Sequence, residues 1–165
     1  WTGDVAAELD AYTSPADCSG FEEETERIDA NFNTGLSGFI NTMNATYWWE
    51  NKSADQRVQT SAGVWDGANS PELLYSKYMP AGTYNWNIGY GAEGTNYASI
   101  SLGYITDSKE YVMVHFHSQM AINTYHERGG TFTATDRFKP CIRAIGGRNV
   151  SSGLVWVDNL VIAKQ

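Results

Sequence analysis

The sequence predicts an all-β domain: an antiparallel β-sandwich of the jelly-roll type, preceded by a short, partly helical extension. Three observations carry that reading. From Asn31 onward, apolar and polar residues alternate with period two. Turn residues separate the runs. No helical stretch intervenes, as a crossover between parallel strands would require. The last third is the clearest part, with Gly130-Thr131-Phe132-Thr133-Ala134, then Lys139-Pro140-Cys141-Ile142-Arg143, then Val155-Trp156-Val157-Asp158-Asn159-Leu160-Val161-Ile162.

Residues 1–28 read as the extension and residues 29–165 as the sandwich. Within the extension, residues 5–9 and 21–28 have helical composition. Ser19 is placed to cap the second run, with Glu22 three residues on. Its acidic cluster, Glu22-Glu23-Glu24 and Glu26, reads as a solvated helix face, with a calcium cluster as the sharper alternative. In the sandwich, Tyr84-Asn85-Trp86-Asn87-Ile88-Gly89-Tyr90 alternates strictly, and residues 98–102 do the same. Val112, Val114 and Phe116 share one strand face, with Met113, His115 and His117 on the other. Residues 138–145 place Phe138, Pro140, Ile142 and Ala144 together, against Lys139, Cys141, Arg143 and Ile145. Predicted turns fall at residues 80–82, 91–94, 106–108, 129–130 and 146–147. There is no internal repeat and no linker.

A chain of 165 residues with 42% hydrophobic and 18% charged residues is long enough to bury one core unaided. A net charge of −8 and a pI near 4.7 disfavour nucleic acid and anionic membrane surfaces, whose phosphates need clustered Lys and Arg. No segment approaches the ~20 apolar residues of a membrane span. A start at Trp1-Thr2-Gly3-Asp4 reads as a processed form or an excised domain. Cys18 and Cys141 are too few for a scaffold or a zinc site; they form one bridge or remain two buried thiols. Sequons at Asn44, Asn51 and Asn149 favour an extracellular setting and mark candidate glycosylation sites.

Several segments, in order, resemble a known group. Asp29-Ala30-Asn31-Phe32-Asn33 with Gly35-Leu36-Ser37-Gly38-Phe39 is similar to the opening motif of carbohydrate-binding modules of the family 4/9/22 type, which have a galactose-binding-like jelly roll. Pro80-Ala81-Gly82-Thr83-Tyr84-Asn85-Trp86 resembles a strand of that group. Tyr125-His126-Glu127-Arg128 with residues 130–133 resembles its Phe-Thr segment, and residues 155–160 its closing strand. The resemblance spans residues 29–163 and implies non-catalytic glycan binding. It also implies a structural calcium pinning the first strand to the last, with Asn31, Asn33 and Asp158 as ligands. Here Asn31 and Asn33 stand where acids are usual and Asn159 replaces a second Asp, which weakens a site for an ion that prefers anionic oxygens.

The residues themselves allow the same function. The face opposite the expected core carries Asn85, Asn87, Tyr97, Ser99, Ser101, His115, His117 and Arg143, donors and acceptors suited to sugar hydroxyls. A solvated sheet face is polar too, but Asn is disfavoured on strands. Aromatic residues make up 13% of the chain and provide stacking platforms. In a strand Trp48 and Trp49 point to opposite faces, so at most one of them is core; either one, then Trp65, is the expected stacking residue, whereas Trp86 and Trp156 fall in phase with the core. His115 and His117, with His126, offer a metal alternative, but no acid follows at the expected short spacing. Asp66, Glu72, Glu110 and Glu127 fall at turns or strand ends, and nothing pairs them across a glycosidic bond. The expected function is extracellular, non-catalytic binding of a neutral or weakly charged polysaccharide. The alternative is a structural subunit of a filament, sheath or virion, self-assembling through the N-terminal extension.

Overall fold

A computed structural model describes residues 24–42, 48–60, 71–94, 98–145 and 154–165. Its strands are β1 (Arg27–Ala30), β2 (Phe39–Asn41), β3 (Trp49–Lys52), β4 (Arg57–Thr60), β5 (Glu72–Tyr75), β6 (Gly82–Glu93), β7 (Ser99–Thr106), β8 (Tyr111–His117), β9 (His126–Ala134), β10 (Phe138–Ile145) and β11 (Leu154–Lys164). They form two antiparallel sheets. One runs β3-β4-β11-β6-β9, with β1 also paired to β11; the other runs β2-β5-β10-β7-β8. The predicted all-β jelly-roll sandwich is therefore the observed fold.

The core follows the period-two pattern. Tyr84, Trp86, Ile88 and Tyr90 of β6 face Ile100, Leu102 and Tyr104 of β7 and Phe138, Ile142 and Ala144 of β10. At one end Tyr84, Tyr104, Phe132 and Phe138 form an aromatic cluster with ring centroids 4.8–5.5 Å apart. Burying each such side chain contributes about 1.5–3 kcal/mol.

Three expectations are corrected. Residues 24–28, read as part of a helix, are extended. Glu24 bridges Tyr78 and Arg27 begins β1, because pairing with β11 brings Ile28 into the core. Gly91 to Glu93 are not a turn but the last residues of β6, and Gly129-Gly130 lie inside β9. Glycine is needed there for close approach. A Cβ on Gly91 would lie 2.3 Å from the Trp156 indole, and one on Gly130 would lie 3.2 Å from that of Trp86. Among the described residues the only helical element is a 3-10 turn at Ser53–Asp55, and no helix is long and apolar enough to cross a membrane.

Candidate ligand-binding face

Two β-bulges set which side chains reach which surface. In β8 the pairing with β7 shifts between Leu102 and Gly103: His115 opposes Leu102 and Met113 opposes Gly103, leaving Val114 as the extra residue. A bulge changes the phase of everything beyond it. Val112 and Val114 pack on the core. Beyond the bulge, Phe116 turns outward to 44% exposure while His115 and His117 turn in. The strict alternation predicted for this strand, and with it the outward placement of the two histidines, is thereby overturned.

The outer face of the five-stranded sheet gathers a connected set of side chains. Glu72 opens β5 and opposes Arg143 of β10, which in turn opposes Ser101 of β7. Arg143 donates from Nε to Glu72 Oε2 at 2.5 Å, and Thr42 Oγ1 donates to Glu72 Oε1. The Glu72 side chain is only 4% exposed, whereas Arg143 is partly open to solvent. The guanidinium carbon lies 3.8 Å from the centroid of the Tyr111 ring, and the Tyr111 hydroxyl is 2.9 Å from Ser101 Oγ. Gly103 makes this possible. A Cβ there would sit 2.5 Å from the Val112 carbonyl oxygen and 2.7 Å from the Tyr111 ring, so a side chain would crowd both the β8 backbone and the ring.

Electrostatically the face is a neutralised pair. Burial works against the charge on Arg143, yet its hydrogen bond to Glu72 together with the charges of Cys141, Glu72 and Tyr111 outweighs it and raises its pKa. Burial, and then the Glu72 charge, push the Cys141 thiol well above its usual range. Cys141 is a free, buried thiol on this same face. Met113, 58% exposed, and Phe116 add apolar surface on β8. The arrangement offers a guanidinium lying over an aromatic ring, hydroxyl groups beside it, and the exposed apolar side chains of Met113 and Phe116 on β8. These are the groups that stack on and hydrogen-bond to a polyhydroxylated ring.

The sequence-predicted binding residues do not share one face. Arg143, Ser99 and Ser101 lie on the face just described. Asn85 and Asn87 lie on β6, on the outside of the six-stranded sheet, where Asn85 Oδ1 accepts from Gln165 Nε2 at 2.9 Å. Trp49 is 1% exposed in the core, so it offers no platform, while Trp48, one residue before β3, is 44% exposed. Trp65, Tyr97, Cys18, Asn44 and Asn149 lie outside the described residues. Asn51 is a clamp: its amide nitrogen, the atom a glycan would require, donates to the carbonyls of Phe32 at 2.6 Å and Gly35 at 2.9 Å.

The chain's three histidines converge between the sheets, where β8 faces β9. The Tyr90 hydroxyl lies 3.0 Å from His115 Nε2 and 2.9 Å from His117 Nδ1. With a single proton it donates to one ring and accepts from the other. His126 stacks on Tyr90, and its ring centroid is 4.6 Å from that of His117. Burial first, and then neighbouring positive charge that includes Arg128, holds all three imidazoles below their usual pKa. Among the described residues no group of three His, Cys, Asp or Glu side chains is placed to hold a metal ion.

The calcium set implied by the resemblance falls on β11 and on the residues that follow β1. Asp158 sits at the second bulge, between Val157 and Asn159 of β11. Its Oδ1 is buried without a partner, 2.4 Å from where a Gly89 Cβ would be, so the carboxylate leans toward β6. β1 flanks the other side of β11, and Asn31 Oδ1 there accepts from the Asn33 amide at 3.2 Å.

Sequence reasoning missed Glu72, Tyr111 and Gly103. In the sequence Glu72 reads as a strand-end acid. The signal for it was the facing pattern of β5 and β10, which appears only once those two strands are known to be neighbours.

The sandwich has the jelly-roll fold of carbohydrate-binding modules. A family 22 module joined to its xylanase domain, from Clostridium thermocellum endo-1,4-β-D-xylanase 10B complexed with xylohexaose, matches with a TM-score of 0.63 and 8% identity. That match covers 84% of this chain, which spans only 28% of the xylanase chain. A family 29 carbohydrate-binding module matches with a TM-score of 0.57 and 12% identity over 82% of this chain and 84% of its own. A family 61 module in complex with β-1,4-galactotriose matches with a TM-score of 0.55 and 14% identity over 82% of this chain and 95% of its own. No protein-family model matches the sequence, and no curated protein matches it.

Proposed function

We propose that this protein is a non-catalytic glycan-binding module that lays a neutral polysaccharide chain across the outer face of its five-stranded sheet, in an extracellular setting. The observation that carries the reading is the Glu72–Arg143–Tyr111–Ser101 chain of contacts, in which the buried Glu72 and Ser101 hold a partly exposed guanidinium and phenol ring at the surface. The fold likeness supports it, since solved neighbours hold xylohexaose and β-1,4-galactotriose. Among the described residues on the strands of this face Glu72 is the one carboxylate, and both its oxygens are engaged. Glycoside hydrolysis uses two opposed carboxylates, so the face is suited to holding a glycan rather than cleaving it.

Affinity electrophoresis in gels containing xylan, β-1,4-galactan or mannan tests the proposal. Retardation in at least one gel is expected. Tyr111→Ala is expected to weaken it by about tenfold, because the ring that carries the Arg143 guanidinium is lost, with the fold intact by circular dichroism. Unchanged mobility in every gel overturns the reading. The exposed Met113 and Phe116 favour a second reading, a subunit that packs β8 against another chain. Concentration-dependent growth in light scattering, with no glycan retardation, selects that role.

A further inference from the structure

We infer that Glu72 sets the charge specificity of the proposed glycan face: by neutralising Arg143 from beneath, it makes the face a reader of uncharged sugars and bars polyuronates. The inference rests on the glycan-binding reading above and specifies its ligand class.

The argument runs from placement. Arg143 is the cation on the central strand of this face, lying over Tyr111 with 27% of its side chain exposed. Alone, such a group would attract carboxylates, because a guanidinium presents a fork of donors matched to their two oxygens. It is not alone. The Glu72 carboxylate is buried directly beside it, with Oε2 on Arg143 Nε and Oε1 on the Thr42 hydroxyl. A buried charge is poorly screened, so a uronate approaching Arg143 meets Glu72 at close range. The guanidinium keeps its remaining N–H donors for sugar hydroxyls but loses most of its net pull on anions. The neighbouring groups do not reverse this. Ser101 and Tyr111 are neutral hydroxyls, and the chain as a whole carries −8. Lys139, farther along β10, is turned onto the Tyr78 ring, with its ammonium 4.3 Å from the ring centroid. Fixing Arg143 in its stacked orientation is the second effect of Glu72, so it acts as a positioning residue as well as a charge.

The test compares neutral β-1,4-galactan or xylan with polygalacturonate in affinity electrophoresis at low and high salt. Wild type should be retarded by a neutral glycan and not by polygalacturonate. Glu72→Gln keeps the side chain's shape but frees the positive charge. It should gain affinity for polygalacturonate of about tenfold or more at low salt, with the gain fading near 1 M salt, where the Debye length is about 3 Å. The double variant Glu72→Gln/Arg143→Gln, neutral again, should lose that gain. Absence of a gain in folded Glu72→Gln overturns the inference, as does a gain that survives in the double variant. Should Glu72→Gln not fold, wild type decides: polygalacturonate retardation equal to that on neutral glycan overturns it. Failure of wild type on every neutral glycan instead overturns the glycan-binding reading itself.

Discussion

At the scale of single residues, the face depends on one atom that is not there. Gly103 has ordinary strand geometry, so it is present for space rather than conformational freedom, and the Tyr111 ring fills that space. Gly103→Val should therefore tilt the ring off β7, break its contact with Ser101 Oγ and weaken glycan retardation by about tenfold, the loss of one good stacking contact. Thermal unfolding should move to lower temperature as well, because the added side chain also meets the Val112 carbonyl oxygen, backbone of the β7–β8 pairing that cannot turn aside. Retardation equal to wild type would show that Tyr111 does not need to lie flat. The tandem indoles make the opposite point. Alternation correctly required Trp48 and Trp49 to part, yet nothing local said which would enter the core. Trp49 does so because β3 pairs with β4 in a register that opposes Trp49 to the buried Thr60. Its removal is then a stability experiment, and Trp49→Ala should cost about 3–5 kcal/mol.

At the scale of elements, the bulges in β8 and β11 decide the chemistry. Val112-Met113-Val114-His115-Phe116-His117 has an unbroken period-two pattern, and no residue in it announces an insertion. The extra residue at Val114 is a property of the pairing with β7, so it was invisible in β8 alone. Its consequence is a cluster of imidazoles between sheets, and that cluster should make stability depend on pH. In the unfolded chain a histidine titrates near its ordinary value of 6.5; in the folded cluster, burial holds each below it. As pH falls through 6.5 the unfolded state takes up protons first, so unfolding free energy declines until the depressed folded values are passed, and then levels off. Above the ordinary imidazole range the contribution is full and flat. Asp158, whose pKa burial raises, works in the opposite sense at lower pH. The readout is thus the difference between wild type and a His115→Gln/His117→Gln/His126→Gln variant in urea unfolding at pH 7.5 and pH 5. The variant should lose the decline between those two values; an identical decline would place its origin elsewhere.

At the scale of the whole molecule, the architecture was legible because burial imposes it. A sandwich must fill its interior from both sheets, so Tyr84, Trp86, Ile88 and Tyr90, or Phe138, Ile142 and Ala144, could be assigned inward from alternation alone. The closing strand with its Asp-Asn interruption was recognisable as well. Cooperative unfolding of one core follows, and Trp49→Ala should lower the melting temperature by roughly 10 °C, given 2–4 °C per kcal/mol at this size, whereas Trp48→Ala should leave it within a few degrees. A drop as large for Trp48→Ala would contradict the observed burial. By itself, then, the sequence determined the fold class, most of the inward-facing residues, and the acidic net charge and high aromatic content of the chain. Only the tertiary structure decided which polar residues meet. Glu72 and Arg143 lie 71 positions apart and are joined by the β5–β10 pairing, while the asparagines of β6 were carried to the opposite surface. Alternation fixes a side chain's face within its own strand, but neighbours across strands depend on sheet order and register, and those are set by the packing of the whole core.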